Sequence, residues 1–364
     1  MYFKGKVILL VFILVFANFE DAFAQRRNKY QRQRSKSRVV SKYRGGRTIG
    51  GSGRFRPYQY VGFGINALNY FGDLAPVNRA ASTDLSFTRP GIGIQWGYKF
   101  LPAVAARATF NWGILRGDDF SADPADEVAS ARYTRNLSFR NNIKELTVGA
   151  EFYVFPNYRG ARLRPPFNAY IFVGIGGFHH EPQGLVPDQD YQSGSGVPDQ
   201  AGEWVNLRKL GTEGQFIDGV GVDEEYSPWQ LLVPLGIGGV VAFPGTNFSI
   251  GIELGYRLIF TDYLDDVSTN YVSLDQFTDP TARILSDRSA EAVAAVSGET
   301  RDLSGINVET RNLGGVDYNV AVDIGAGQEG SIRGNPDNDD LYFITQIRVT
   351  YILSTRPRST AKFR

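Results

Sequence analysis

From Gly91 to Leu115 large side chains keep to the even positions: Ile92, Ile94, Trp96, Tyr98 and Phe100, then Ala106, Ala108, Phe110, Trp112 and Ile114. The odd positions carry Gly93, Gln95, Gly97, Lys99, Arg107, Thr109 and Asn111. A period of two belongs to a strand with two unlike faces, so this stretch reads as two strands joined at Leu101–Ala103. The same pattern predicts eight strands: Tyr58–Tyr70, Pro90–Phe100, Ala103–Leu115, Ile143–Phe155, Phe167–Phe178, Pro228–Phe243, Phe248–Phe260 and Leu341–Leu353. In each, an aliphatic or aromatic face opposes one of glycine, amide, hydroxyl and charge. Two features sit awkwardly. Pro234 interrupts the sixth strand and implies a bulge, and the fifth puts the bulky Tyr170 and Phe172 on its polar face.

The gaps between strands alternate in length without exception. Gaps at about 101–102, 156–166 and 244–247 are short. Those at about 71–89, 116–142, 179–227 and 261–340 are long and lengthen along the chain. A meander trim at one end and elaborate at the other is the plan of an outer-membrane barrel. The expected fold class is therefore all-β: an eight-stranded antiparallel up-and-down transmembrane β-barrel with short periplasmic turns and long extracellular loops. Closure pairs every backbone N–H and C=O, which lipid demands, and each strand reaches the length of a tilted crossing. A soluble barrel would carry the same alternation with its faces reversed, and periodicity alone does not separate the two.

In the membrane version the apolar face meets lipid and the polar face lines a narrow lumen, where glycine makes room for neighbouring side chains. The charged lumen groups are Lys99, Arg107, Arg257 and Arg348 against Glu145, Glu151 and Glu253, expected to form one ion-pair network. Two aromatic belts are expected at the hydrocarbon boundaries. Tyr98, Phe100, Phe152, Phe155, Phe167, Phe243, Phe248 and Tyr351 lie near the short turns; Trp112, Phe139, Phe178, Trp229, Phe260 and Phe343 lie near the long loops.

The start of the chain reads as an export signal over residues 1–24. Lys4 and Lys6 precede an apolar run from Val7 to Ala17, and Ala22-Phe23-Ala24 is a cleavage site. The run is too short for a spanning helix, which needs about 20 residues. Residues 25–56 form a basic arm, expected to be disordered when alone. Between Arg26 and Arg47 its cations are Arg26, Arg27, Lys29, Arg32, Arg34, Lys36, Arg38, Lys42, Arg44 and Arg47, with no acid among them. Because Lys4 and Lys6 offset Glu20 and Asp21, the first 47 residues carry +10 against +1 for the whole chain, which leaves −9 for the remainder. The arm fits a tether to an acidic partner as well as a solvated linker. An exported chain makes nucleic acid an unsuitable partner. The barrel domain spans 57–353 and a C-terminal tail 354–364.

Zero cysteine excludes disulfides, thiol nucleophiles and thiolate metal sites. His179 and His180 are the only histidines and form no evident metal cluster. Acidic runs at Asp188 and Asp190, 262–266 and 337–340 leave calcium open, although the twelve-residue calcium-loop spacing is missing. The Gly174 and Gly236 clusters lie inside strands and are not dinucleotide fingerprints. No nucleophile elbow, zinc helix motif or phosphate loop is present. The expectation is a protein that is not an enzyme and has no cofactor. Within the long fourth loop a short helix over Ser286–Val296 is expected.

Two stretches carry a family resemblance: YVGFGINALNYFGDLAP at the first strand, and IGIELGYRLIFTDYLDDVSTNYV at the exit of the seventh. They resemble the outer-membrane β-barrels of Bacteroidota, in particular the PorG-like barrels of the type IX secretion system, over about Tyr58 to Leu353. The resemblance implies a non-catalytic outer-membrane subunit, embedded in lipid, that associates with a periplasmic ring of secretion proteins. The matching motif is Thr261, Asp262, Tyr263, Leu264, Asp265 and Asp266. These carboxylates are placed to close the barrel mouth by accepting loop N–H bonds. The alternatives are a surface receptor or adhesin acting through the long loops, and a small-solute channel.

Overall fold

The computed structural model describes residues 55–74, 88–122, 130–158, 160–220, 225–322, 327–336 and 339–353. The expected signal peptide, nearly all of the basic arm and the C-terminal tail lie outside the described residues.

The described residues form twelve strands: β1 (Tyr58–Phe71), β2 (Arg89–Lys99), β3 (Val104–Asp118), β4 (Ser138–Tyr153), β5 (Phe167–His179), β6 (Pro182–Leu185), β7 (Trp204–Asn206), β8 (Trp229–Ala242), β9 (Phe248–Ile259), β10 (Val308–Leu313), β11 (Val316–Ala321) and β12 (Leu341–Leu353). Eight of them pair antiparallel in the order β3-β2-β1-β12-β9-β8-β5-β4, and β3 also pairs with β4. That last ladder, from Val104↔Phe152 to Asp118↔Ser138, closes the barrel. The eight staves are the eight strands predicted from alternation, each displaced by a few residues at most.

Burial decides which face points where. Phe63 is 53% exposed, Ile94 55%, Leu146 60% and Ile252 50%, while their polar neighbours Gln95, Glu145 and Glu253 are buried. The apolar face is outside. The reversed, soluble arrangement is therefore not the one this chain adopts. No helix among the described residues is long and apolar enough to cross a membrane; crossing by strands needs none.

Three expectations are corrected. Pro234 makes no bulge: Val173↔Leu235 and Gly176↔Leu232 keep one register across it, and β8–β9 runs unbroken through Pro234↔Arg257. Proline simply has no N–H to give β5, so the pairs at Gly174 and Ile175 are skipped. Phe139 and Phe178 do not join the outer belt; both point inward and are fully buried. Trp112, Trp229, Phe260, Phe155, Phe243 and Phe248 are on the exposed face. The loop helix covers Pro280–Ser286 rather than Ser286–Val296. Asp279 caps it by accepting from Thr281 N at 2.8 Å, and Pro280 takes its first turn, where a missing N–H costs nothing.

β3 and β4 run past the other staves, and β6 and β7 extend β4 beyond the rim. The inner face changes character towards that end. Leu68, Leu115, Phe139, Ile143, Phe178, Leu232, Ile259 and Ile344 form one buried apolar cluster with Leu74, Val186, Leu207, Leu264, Val267 and Leu285 from the loops. The long loops thus share a core with the top of the barrel and form a cap on it.

Candidate functional site

Below the apolar layer the lumen is crossed by charge. Arg107 on β3 donates from Nη1 to Glu253 Oε2 at 2.5 Å and from Nη2 to Glu253 Oε1 at 2.9 Å. The same Nη1 reaches Glu151 Oε1 at 2.9 Å. Arg348 on β12 donates to Glu151 Oε1 at 2.9 Å and to Gln95 Oε1 at 2.7 Å, and lies 3.6 Å from Glu253. Glu151 also accepts from the hydroxyls of Tyr60 and Tyr153. These four charges form one cluster with every carboxylate oxygen partnered.

Arg257 and Glu145 form a second cluster nearer the cap, with Nε to Oε2 at 3.1 Å. Tyr342 OH and Asn111 Nδ2 complete Glu145 at 2.7 and 2.9 Å. An amide layer sits beside it: Gln346 Nε2 donates to Asn66 Oδ1 at 2.7 Å, and Asn66 Nδ2 to Asn111 Oδ1 at 3.0 Å. The expected single network is thus two clusters. Lys99 belongs to neither; its ammonium sits 3.4 Å from the centroid of the Tyr153 ring.

The bulky inward pair on β5 serves this site. Tyr170 OH donates to Glu253 Oε2 at 2.7 Å, and the Arg107 guanidinium stacks 3.6 Å from the Phe172 ring centroid. Glycine on the two neighbouring staves, β8 and β4, gives these rings their room. A Cβ on Gly238 would fall 2.2 Å from Tyr170 OH, and one on Gly149 would fall 2.9 Å from Phe172 Cε2.

At the mouth the two family-like stretches meet. Tyr70 OH, from the first, lies 2.6 Å from Asp265 Oδ2, in the second, and 2.8 Å from Asp340 Oδ1. Asp265 Oδ1 accepts from Val267 N at 3.0 Å and Asp340 Oδ2 from Leu264 N at 2.9 Å. Asp266 differs from expectation in accepting hydroxyls, those of Thr212 and Tyr226, rather than N–H groups. Asp262 also differs: neither of its oxygens accepts an N–H. Thr261 Oγ1 accepts from Tyr263 N at 3.2 Å, and Asn141 Nδ2 donates to the Leu264 carbonyl at 2.7 Å. The Tyr263 ring stacks on Tyr226, centroids 4.5 Å apart.

Burial and mutual repulsion raise the proton affinity of these carboxyls. Burial, then the Asp265 charge, pushes Asp262 up to about 9. Burial, opposed by Arg333, leaves Asp266 up at about 6. Asp265 and Asp340 rise well above the usual carboxylate range, by burial and then by Asp73 and Asp265 respectively. Burial pushes His180 down to about 4, so it is neutral at pH 7.

The cap is held by arginines that strand alternation does not reveal, because they sit in loops and short helices between the staves. Arg135 forks Asp119 at 2.7 and 2.9 Å and donates to the Arg333 and Asp73 carbonyls. Arg333 pairs with Glu213 at 2.8 Å and donates to the Asp266 and Ser286 carbonyls. Arg283 holds Asp190 at 2.5 Å, and Arg288 pairs with Glu291. The acidic run at Asp188 and Asp190 is in this way partly taken up inside the cap. Among the described residues no three His, Cys, Asp or Glu groups are arranged to hold a metal ion.

Residues 57–198 match a family described as a domain of unknown function, DUF6089. No curated protein matches the chain in sequence. Three solved structures are similar in outline. One is Ail, the attachment invasion locus protein of Yersinia pestis, in complex with the heparin analogue sucrose octasulfate: TM-score 0.33, 8% identity, covering 82% of this chain and 100% of that one. Neisserial surface protein A (NspA) gives 0.32 and 7%, with 80% and 96% covered. The outer membrane protein OprG from Pseudomonas aeruginosa gives 0.33 and 8%, with 84% and 99% covered. What this chain is rests on its own strand pairing and burial: a closed eight-stranded antiparallel barrel of the outer-membrane kind. The DUF6089 match then covers its first five staves.

Proposed function

We propose that the protein is an integral outer-membrane barrel that works as a non-catalytic, non-conducting anchor, and specifically as an assembly component of a type IX-like protein secretion machine. One observation carries the anchor reading: the lumen is bridged by Arg107–Glu253 and Arg257–Glu145 below an apolar layer shared with the cap. A barrel so filled holds something in place rather than passing it through. The exposed apolar exterior supports residence in lipid. The secretion assignment is supported by the resemblance of NYFGDL and TDYLDDVS, the stretches that meet at Tyr70 and Asp265. With the short turns in the periplasm, the basic arm of residues 25–56 precedes β1 on that side and docks on an acidic partner. Deleting the arm and measuring partner co-purification from outer membranes tests this; unchanged recovery would sink it.

A second reading, a surface receptor or adhesin, is favoured by one observation. The described residues of the loop between Thr261 and Asp340 are folded around buried arginines. Replacing that loop with a short turn, leaving secretion intact but abolishing ligand binding, would favour this reading over the first.

A further inference from the structure

The charges inside the barrel do not balance. Four buried cations, Lys99, Arg107, Arg257 and Arg348, face three buried carboxylates, Glu145, Glu151 and Glu253. Arg257 takes Glu145, while Arg107 and Arg348 share Glu151 and Glu253. Lys99 is the remainder. It is 3% exposed, rests on the face of Tyr153 and has no salt-bridge partner among the described residues, the Glu151 charge acting on it only from beyond contact. An ammonium removed from water without a counter-ion is strongly disfavoured.

Lys99 lines a cavity at the short-turn end of the lumen, together with Arg164, Asn157, Ser249 and Thr350. No Asp or Glu lines it. Both Arg164 Nη atoms are committed to carbonyls, of Ala161 and Phe248, but its Nε is buried without a partner. The cavity holds about 50 Å³, room for a few waters or one small polar group, since a single water needs roughly 10–15 Å³.

We propose that this cavity is an anion site that takes one carboxylate, with the Lys99 ammonium as its counter-charge. The Lys99 ammonium and the Arg164 guanidinium both line the cavity and no acid does, which calls for an anionic group, and about 50 Å³ admits one as small as a carboxylate. Ser249, Thr350 and Arg164 line the same space, and hydroxyl and guanidinium groups are the donors a carboxylate uses. The carboxylate comes either from a free small acid or from an Asp or Glu side chain of a protein reaching the short-turn mouth. The site follows from the lumen alone and does not depend on the secretion reading.

The test uses full-length protein in detergent micelles, titrated with carbon-13 acetate and followed by NMR at constant ionic strength in sodium chloride. N-acetylglutamate methylamide serves as the side-chain probe. The expected result is one saturable acetate per chain, with binding at least tenfold weaker in both Lys99→Met and Lys99→Gln and unchanged in the outward-facing Lys144→Met. Retained heat-dependent gel mobility shows that each variant keeps its barrel. Binding of the glutamate probe as well as acetate identifies a site open to protein side chains; acetate alone identifies a free-acid site. Absence of saturable acetate binding, undiminished binding in the folded Lys99 variants, or equal displacement by chloride would overturn the proposal.

Discussion

Arg107 and Glu253 meet across the full width of the lumen, fork to fork, at 2.5 and 2.9 Å. Their strands, β3 and β9, stand four places apart in a closed order of eight, so the pair spans a diameter. Arg348 on β12 and Glu151 on β4 are likewise four places apart, and they bridge at 2.9 Å. Two crossing struts of this kind brace the barrel and fill it.

Removing one end of a strut leaves a buried charge without its partner. Glu253→Gln is expected to destabilise the folded barrel by roughly 3–5 kcal/mol, and Arg107→Met by a similar amount. The double variant should be less destabilised than the sum of the two. Urea unfolding in lipid vesicles, followed by tryptophan fluorescence, measures all three; strictly additive losses would contradict a direct pair.

The inward glycines make a separate test. Gly238→Ala drives a Cβ into Tyr170, whereas Gly305→Ala meets nothing within 4 Å. The first should lose about 1–3 kcal/mol by overpacking and the second should stay within about 0.5 kcal/mol. Thermal unfolding of the two variants side by side gives the comparison, and equal midpoints would contradict the packing described for Tyr170.

A filled lumen passes no ions. Wild-type protein in planar bilayers is expected to show no steady unitary conductance. Reproducible ohmic steps from a monomeric, heat-shiftable preparation would favour the channel reading over the anchor.

The cap should loosen as pH rises. Asp262 and Asp266 have folded pKa values of about 9 and about 6, both above the unfolded value of 3.8. A raised carboxyl binds more protons folded than unfolded. Its contribution is therefore complete below about 4 and is lost as pH climbs through the folded value. For Asp266 that window closes near 6; for Asp262 it extends to about 9. His180 works in the opposite direction, with a folded value near 4 against 6.5 unfolded, so its contribution is lost only as pH falls below 6.5. Limited proteolysis of the loops should accelerate between pH 6 and pH 9, and Asp262→Asn should flatten that rise. A rate that ignores pH in both proteins would contradict the buried, protonated cluster.

The staves were legible because lipid outside and polar groups inside force a period of two along every crossing. The inner residue types were legible for the same reason, but their pairing was not. Arg107 and Glu253 are 146 residues apart, and no local rule says which opposite stave a side chain will reach. Tyr170 and Phe172 looked misplaced on a polar face because periodicity scores polarity, while the lumen needs ring faces for Arg107 and a hydroxyl for Glu253. Phe139 and Phe178 read as belt residues because the apolar layer under the cap shares their height. The cap itself was hidden: Arg135, Arg283 and Arg333 act through carbonyls and single carboxylates brought from distant loops, with no spacing to mark them. Within the family-like motif, Asp265 accepts an N–H as expected, whereas Asp262 shows that a motif does not assign its own hydrogen bonds.

The central claim is a closed barrel whose apolar face meets lipid. Fractionation of the native membranes, followed by gel electrophoresis of boiled and unboiled samples, tests it most directly. Recovery in the outer membrane with a mobility that changes on boiling is the predicted result. Recovery in the soluble fraction with one mobility under both conditions would contradict it.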